Sequence, residues 1–296
     1  MKMPVSSDIL SSICEATQTR FTLAHAASLA GGCANQAWHI EGTDGRHYLV
    51  KLNTADRTNM FDAECNGLAA LAATHTVRVP SVIAHGASGA HAFLVLEYLD
   101  LHNHGDARLL GTQLAALHRH HGTQYGWERD NTLGLTPQRN SWCDDWLTFW
   151  REHRLGFQLE LAAHNGFRGR LHTLGQQLME RLPELLADHR PAPSLLHGDL
   201  WGGNHAYLAD GCPVIFDPAT YYGDREADLA MTELFGGFAP AFHAAYHAAY
   251  PLDAGYARRK TLYNLYHVLN HCNMIGSGYA GQAEGMMQRL LDGLRG

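Results

Sequence analysis

The chain has 296 residues, 46% of them hydrophobic, and carries 22 Lys and Arg against 29 Asp and Glu. That is enough apolar material for one large domain or two lobes. The net charge of −7 and a pI near 6.3 offer no basic surface for nucleic acid or an anionic membrane.

The opening MKMPVSSDILSSICEATQ lacks an apolar core of signal-peptide length, and nowhere do 18 apolar residues run together. The six cysteines form no CxxC pair, so a reduced, cytoplasmic protein is expected. Lysine is scarce, with only Lys2, Lys51 and Lys260.

In chain order, a leading helix is predicted over 7–18. Residues 29–53 then read as two strands, 36–40 and 47–52, joined at the turn Thr43-Asp44-Gly45. Gly31-Gly32 opens this stretch. A glycine pair between strands can bring backbone N–H groups to phosphates, or it can be a plain flexible loop; no GK[ST] follows. Cys33 is next to it, either an oxidation-sensitive thiol in that loop or a small buried hydrophobe. Lys51 ends the apolar run Tyr48-Leu49-Val50. Facing inward it reaches nucleotide phosphates; facing outward it is a solvated lysine. A helix over 59–73 carries Glu64, which either pairs with Lys51 or is exposed.

Strands follow over 80–85 and 91–98. After Leu99 the character turns helical, so Glu97-Tyr98-Leu99 is a natural hinge whose backbone could meet an adenine edge. The boundary divides the chain into a β-rich lobe at 1–99 and an α-rich lobe at 100–296. The second half is predicted helical over 105–121, 145–164, 171–188, 227–235, 240–250, 257–276 and 281–294. The long loop 122–146, rich in Trp, Gly, Asn and Asp, is read as functional. A β-rich half followed by an α-rich half is an α+β arrangement.

The stretch PSLLHGDLWGGNHAYLADGCPVIFDPATYYGDREADLAMTELFGGF, residues 193–238, carries the chemistry. Asp199 lies in a His-Gly-Asp turn, Asn204 follows, and Asp217 sits in Phe-Asp-Pro. Two short apolar runs around Asp210-Gly211 read as a hairpin. With a two-residue turn, Ala209 pairs with Cys212 and Asn204 falls opposite Asp217, so their oxygens would converge as ligands for Mg²⁺. Asp199, just before them, is placed to accept a hydroxyl proton, the layout of phosphoryl transfer. The histidine pairs His243/His247 and His267/His271 share helix faces but lack a third ligand, which makes a histidine metal site a weak reading.

These residues resemble a known family. HGDLWGGN, VIFDPATYYGDREADLAMTELFGGF, MFDAE, FLVLEYL, TPQRNSWCDDW and YNLYHVLNH together are similar to the fructosamine kinases, or ketosamine-3-kinases. The resemblance runs from about Leu29 to Gln282. It implies a protein-kinase-like, two-lobed fold, ATP between the lobes, and transfer of the γ-phosphoryl group to the 3-hydroxyl of a ketosamine, free or protein-bound. It implies Asp199 as proton acceptor, Asn204 and Asp217 as Mg²⁺ ligands, and Lys51 on the phosphates held by Glu64. Gly31 and Gly32 would lie over the phosphates and the 97–99 backbone would read adenine. His197 and Asp228 would support the turn, and Trp201 would stack on the sugar. Pro218 stiffens the Phe-Asp-Pro turn, so no movable activation segment is expected.

The remaining acceptor surface is expected at Trp142, Asp144, Asp145, Trp146 and Tyr222. Aromatic faces with a few acids suit one sugar and one protonated amine better than a polycation. Phosphorylation at O3 followed by elimination would release the amine, a deglycation that repairs glycated amines. Two alternatives stay open: a related kinase for an aminoglycoside or amino alcohol, and a nucleotide-binding protein without catalysis. The complete set Lys51, Glu64, Asp199, Asn204 and Asp217 speaks against the second.

Overall fold

The computed structural model describes residues 5–29 and 35–294. It divides into two compact units, one of residues 1–106 with 206–217, the other of residues 107–205 with 218–296.

The first unit is built on an antiparallel sheet in the order β1-β2-β3-β5-β4, from Leu23–Leu29, Gln36–Gly42, His47–Thr54, His91–Glu97 and Val82–Ser88. Helix α1 (Ser7–Thr17) begins at Ser6, whose hydroxyl accepts from the Ile9 amide, and buries Ile9 and Ile13 one turn apart. Those two share a core with Tyr48, Val50, Leu52, Phe93 and Val95. Alternation along β3 therefore sends Lys51 to the opposite face. Helix α2 (Thr58–Ala73) buries Met60, Phe61, Leu68 and Leu71. Strand β1 was not predicted: LAHAASL is rich in Ala and Ser and contains no β-branched residue.

The segment 206–217 joins this unit by backbone pairing. His102 and Tyr207 exchange both amide hydrogen bonds, and Ile215 donates to Arg78 at 3.0 Å. Strands β9 (His205–Tyr207) and β10 (Pro213–Ile215) form the predicted hairpin, but its turn is one residue longer than expected. Leu208 donates to the Cys212 carbonyl, Gly211 donates to Leu208, and Gly211 sits at φ +83°. This is a type I turn closed by a left-handed glycine, which leaves Leu208, not Ala209, level with Cys212. The register that opposed Asn204 to Asp217 is thus off by one.

The second unit is mostly helical: α3 (Ala107–Leu117), α4 (Trp146–Phe149), α5 (Gly156–His164), α6 (Arg170–Leu185), α7 (Glu226–Leu234), α8 (Pro240–Ala249), α9 (Tyr256–Ile275) and α10 (Ala280–Asp292). Its core runs from Trp146, Phe149 and Trp150 through Leu178 and Leu182 to Tyr263, Leu269 and Met287. A π-helical turn, Trp150–Leu155, interrupts what the sequence reads as one helix over 145–164. The loop 122–146 holds a small hairpin, β6 (Asn131–Leu133) with β7 (Thr136–Gln138). Short strand β8 (Ser194–Leu196) pairs antiparallel with β11 (Tyr221–Gly223), Leu195 opposite Tyr222. Among the described residues no helix is long and apolar enough to cross a membrane.

Candidate active site

In the first unit three predicted residues come together. Lys51, 6% exposed, donates from Nζ to Glu64 Oε1 at 2.6 Å and to Asp217 Oδ1 at 2.5 Å. Burial alone would pull the Lys51 pKa down. The two carboxylates outweigh it and hold the ammonium above its ordinary range. Glu64 is pushed up by burial, against the pull of Lys51. Asp217 adopts φ +58°, a backbone region unusual for a residue other than glycine, and its side chain is 45% exposed.

In the 97–99 segment both Glu97 carboxylate oxygens accept from Arg78 Nη2, at 2.5 and 2.6 Å, and Oε2 also accepts the Ser81 amide. That carboxylate is therefore taken. Tyr98 stacks on His39, ring centroids 4.0 Å apart. Tyr98 and Leu99 follow the end of β5, so their amide and carbonyl groups lie outside the sheet ladder. Gly31, Gly32 and Cys33 lie outside the described residues.

In the second unit Asp228 organises the His-Gly-Asp turn. Its carboxylate accepts the His197 amide at 2.7 Å and the Gly198 amide at 2.8 Å. The buried His118, on the loop after α3, donates to the same group at 3.1 Å and is itself held by Tyr246 at 2.8 Å. Burial would raise the Asp228 pKa, but the His118 hydrogen bond, the nearby imidazoles and the Gly198 amide together hold it below the usual carboxylate value. Gly198 at φ +84° is obligatory, since a Cβ there would meet the Ala219 carbonyl oxygen at 2.0 Å.

Asp199 emerges half-buried from this turn, and its amide donates to His197 Nδ1 at 3.2 Å. Asn204 is 5% exposed and turns its amide nitrogen to the Asp199 carbonyl at 2.9 Å and the Asp199 carboxylate at 3.3 Å. With the nitrogen so used, Oδ1 is the atom of Asn204 with ligand chemistry. An amide oxygen and a carboxylate with exposed surface are hard donors of the kind that fit Mg²⁺.

Trp201 is 41% exposed and lies back over Gly203, where a Cβ would strike its ring at 2.3 Å. Tyr222 lies among tryptophans, with Trp127 at 5.4 Å and Trp142 at 6.3 Å between ring centroids. Asp144 is exposed and accepts from Gln124 at 2.8 Å. Asp145 is exposed and caps α4, accepting the Thr148 amide and hydroxyl at 2.8 Å; the hydroxyl bond lowers its pKa most. Trp146 corrects the expectation: it is 2% exposed, stacked with Phe149 and bonded from Nε1 to Tyr263, a core residue with no face to offer. The apolar periodicity of α4 demanded this, because Trp146, Phe149 and Trp150 fall on one side.

Sequence reasoning missed His118, Trp127 and Arg154. Each acts through partners many positions away, which no local pattern records. The histidine pairs form no metal cluster among the described residues. Among the described residues the one close group of such ligands is His189, Glu226 and Asp253. There Glu226 is bound by Arg259 at 2.7 and 2.8 Å and His189 by Asp224 at 2.5 Å, so the group is an ion-pair site.

A family model described as fructosamine kinase matches residues 5–293. The chain belongs to the fructosamine kinase family. It is 49% identical over 298 residues to a probable ketoamine kinase of Synechocystis sp., covering 98% of this chain and 99% of that one. A chloroplastic protein-ribulosamine 3-kinase of Arabidopsis thaliana is 40% identical, covering 89% of this chain and 82% of that one. The crystal structure of a protein assigned as a fructosamine-3-kinase from Haemophilus somnus superposes with a TM-score of 0.88 at 31% identity, covering 96% of each chain. The α+β, protein-kinase-like fold expected from the sequence is the fold observed.

Proposed function

We propose that the protein is an ATP- and Mg²⁺-dependent kinase that phosphorylates the 3-hydroxyl of ketosamines such as ribulosamines and fructosamines. The observation that carries this reading is the pair of clusters just described. One holds a buried lysine between two carboxylates, and the other holds Asp199 and Asn204 on a turn braced by Asp228. Family membership supports the acceptor class.

In this reading residues 1–99 form the nucleotide-binding lobe and 100–296 the catalytic lobe. Lys51, held by Glu64, neutralises phosphate charge, and the backbone of 97–99 reads adenine. Asp217 and Asn204 would hold Mg²⁺, which would supply positive charge to offset that of the nucleotide phosphates. Asp199 accepts the proton of the acceptor hydroxyl as its oxygen bonds to the γ-phosphorus and the β–γ bridging bond breaks to leave ADP. His197 and Asp228 keep Asp199 in place. Trp201 and Tyr222 offer faces to the sugar, and the ionised Asp145 suits the protonated secondary amine.

The product carries a phosphate on C3. Loss of a C1 proton gives an enaminol, from which the C3 phosphate leaves, and hydrolysis of the resulting C1 imine frees the amine. The test is ADP formation from ATP with fructose- or ribulose-glycated lysine, kanamycin and choline as parallel acceptors. Turnover fastest on a ketosamine is expected. Faster turnover on kanamycin or choline overturns the acceptor reading and leaves the kinase assignment standing.

A further inference from the structure

Arg154 is fully buried, and among the described residues its guanidinium has no carboxylate within ion-pair distance. It donates to the Arg139 carbonyl at 2.6 Å, the His153 carbonyl at 3.1 Å and Asn140 Oδ1 at 2.8 Å, while Nε has no partner. Its flat face lies 4.0 Å from the Tyr221 ring centroid and 4.6 Å from that of Phe149. Burying a cation without an acid is costly, and a core built for stability alone would place an apolar side chain here. The π-helical turn Trp150–Leu155 carries it in; such turns commonly mark functional positions.

What Arg154 touches explains its presence. Asn140 is the clasp of the 122–146 loop. Its carbonyl accepts from Trp127, its amide donates to Asp130, and its side-chain nitrogen donates to the Arg129 carbonyl. Tyr221 adjoins Tyr222 on β11, and Tyr222 exchanges both backbone hydrogen bonds with Gly126 of the same loop. One guanidinium thus grips both segments that carry the Trp127–Tyr222–Trp142 surface, the loop through hydrogen bonds and the strand through its ring. Strand β11 pairs with β8, which runs directly into the Asp199 turn.

We infer that Arg154 is the positioning residue of the acceptor surface: it sets the aromatic rings of the 122–146 loop and of β11 in register with each other. The inference rests on the acceptor reading above. Lysine cannot replace it, because only a planar fork bonds two acceptors while stacking on a ring.

The test measures Arg154→Lys and Arg154→Met by steady-state kinetics and by hydrogen exchange. Misplacement of a substrate-orienting surface should raise KM for glycated lysine by about 10- to 100-fold while KM for ATP stays within about twofold. The amides of Gly126, Trp127 and Cys143 should exchange faster, with those of His197 and Gly198 still protected. Parallel rises in both KM values, or wild-type exchange in the loop, overturn the inference. Should Arg154→Met fail to fold, Arg154→Lys, which keeps the charge, decides. If wild-type enzyme does not use ketosamines, the acceptor reading fails by itself, and the exchange pattern still judges Arg154.

Discussion

Around Lys51, two carboxylates converge on one ammonium, and one of them, Asp217, keeps nearly half its side chain in solvent. Around Asp228, one fully buried carboxylate gathers two backbone amides and an imidazole, and none of the group reaches solvent. The first cluster joins side chains that can change partners, as the proposed site for a phosphate and a cation would need. The second ties a side chain to the backbone and leaves nothing to exchange. Substitutions in the first should change chemistry, and those in the second should change stability.

The largest effect is expected at Asp199, on the turn that Asp228 braces. Asp199→Asn keeps the shape and removes the proton acceptor, so kcat should fall about 10²–10⁴-fold while ATP affinity holds. A variant that keeps more than about a tenth of wild-type kcat would remove Asp199 from that role. Lys51→Met comes next. With Lys51 on the phosphates as proposed, loss of its charge should lower kcat by about 10²–10³-fold and leave KM for the acceptor unchanged. A change confined to acceptor KM would contradict the placement of Lys51.

Asp228→Asn probes the other construction. It keeps one acceptor oxygen and turns the other into an NH2 donor that faces a buried donor, and stability should drop by about 1–3 kcal/mol in denaturant titration. The sign with pH follows from the depressed folded-state pKa of Asp228. Its contribution is fully present above the unfolded value of about 4 and is lost as pH falls through the lower folded value. The stability gap between wild type and variant should therefore be constant at neutral pH and shrink in acid. A gap that widens below about pH 4 contradicts the bracing role. The smallest effect is expected for Trp201→Ala, a rise in ketosamine KM of roughly fivefold, about 1 kcal/mol of ring contact, with stability barely moved. A destabilised variant with normal KM would make Trp201 a packing residue.

The same division explains what could be read from the chain. Helical periodicity exposed every long helix to within a few residues, because apolar spacing is local. Apart from His118, the residues of the two clusters were also legible, since Lys51, Asp199 and Asp217 stand in short, unusual contexts. Their geometry was not. Asp210-Gly211 resembles a two-residue turn, yet Ala209 joins it, and a one-residue shift undid the predicted opposition of Asn204 and Asp217. Trp146 looked like a surface ring because it ends a polar loop, but it begins α4 and faces the core. His118 and Arg154 carry no local signal: their partners lie 110 positions away for the first and on two separate segments for the second.

The most direct test of the account is stoichiometry. Wild-type enzyme is incubated with ATP and a fructose- or ribulose-glycated lysine derivative, and ADP, inorganic phosphate and free lysine amine are followed together. Phosphorylation at O3 predicts one amine and one phosphate released for each ADP, after a lag set by elimination, and almost none with Asp199→Asn. ADP formed with the acceptor but with the amine retained would place the phosphoryl group on another hydroxyl and contradict the central claim.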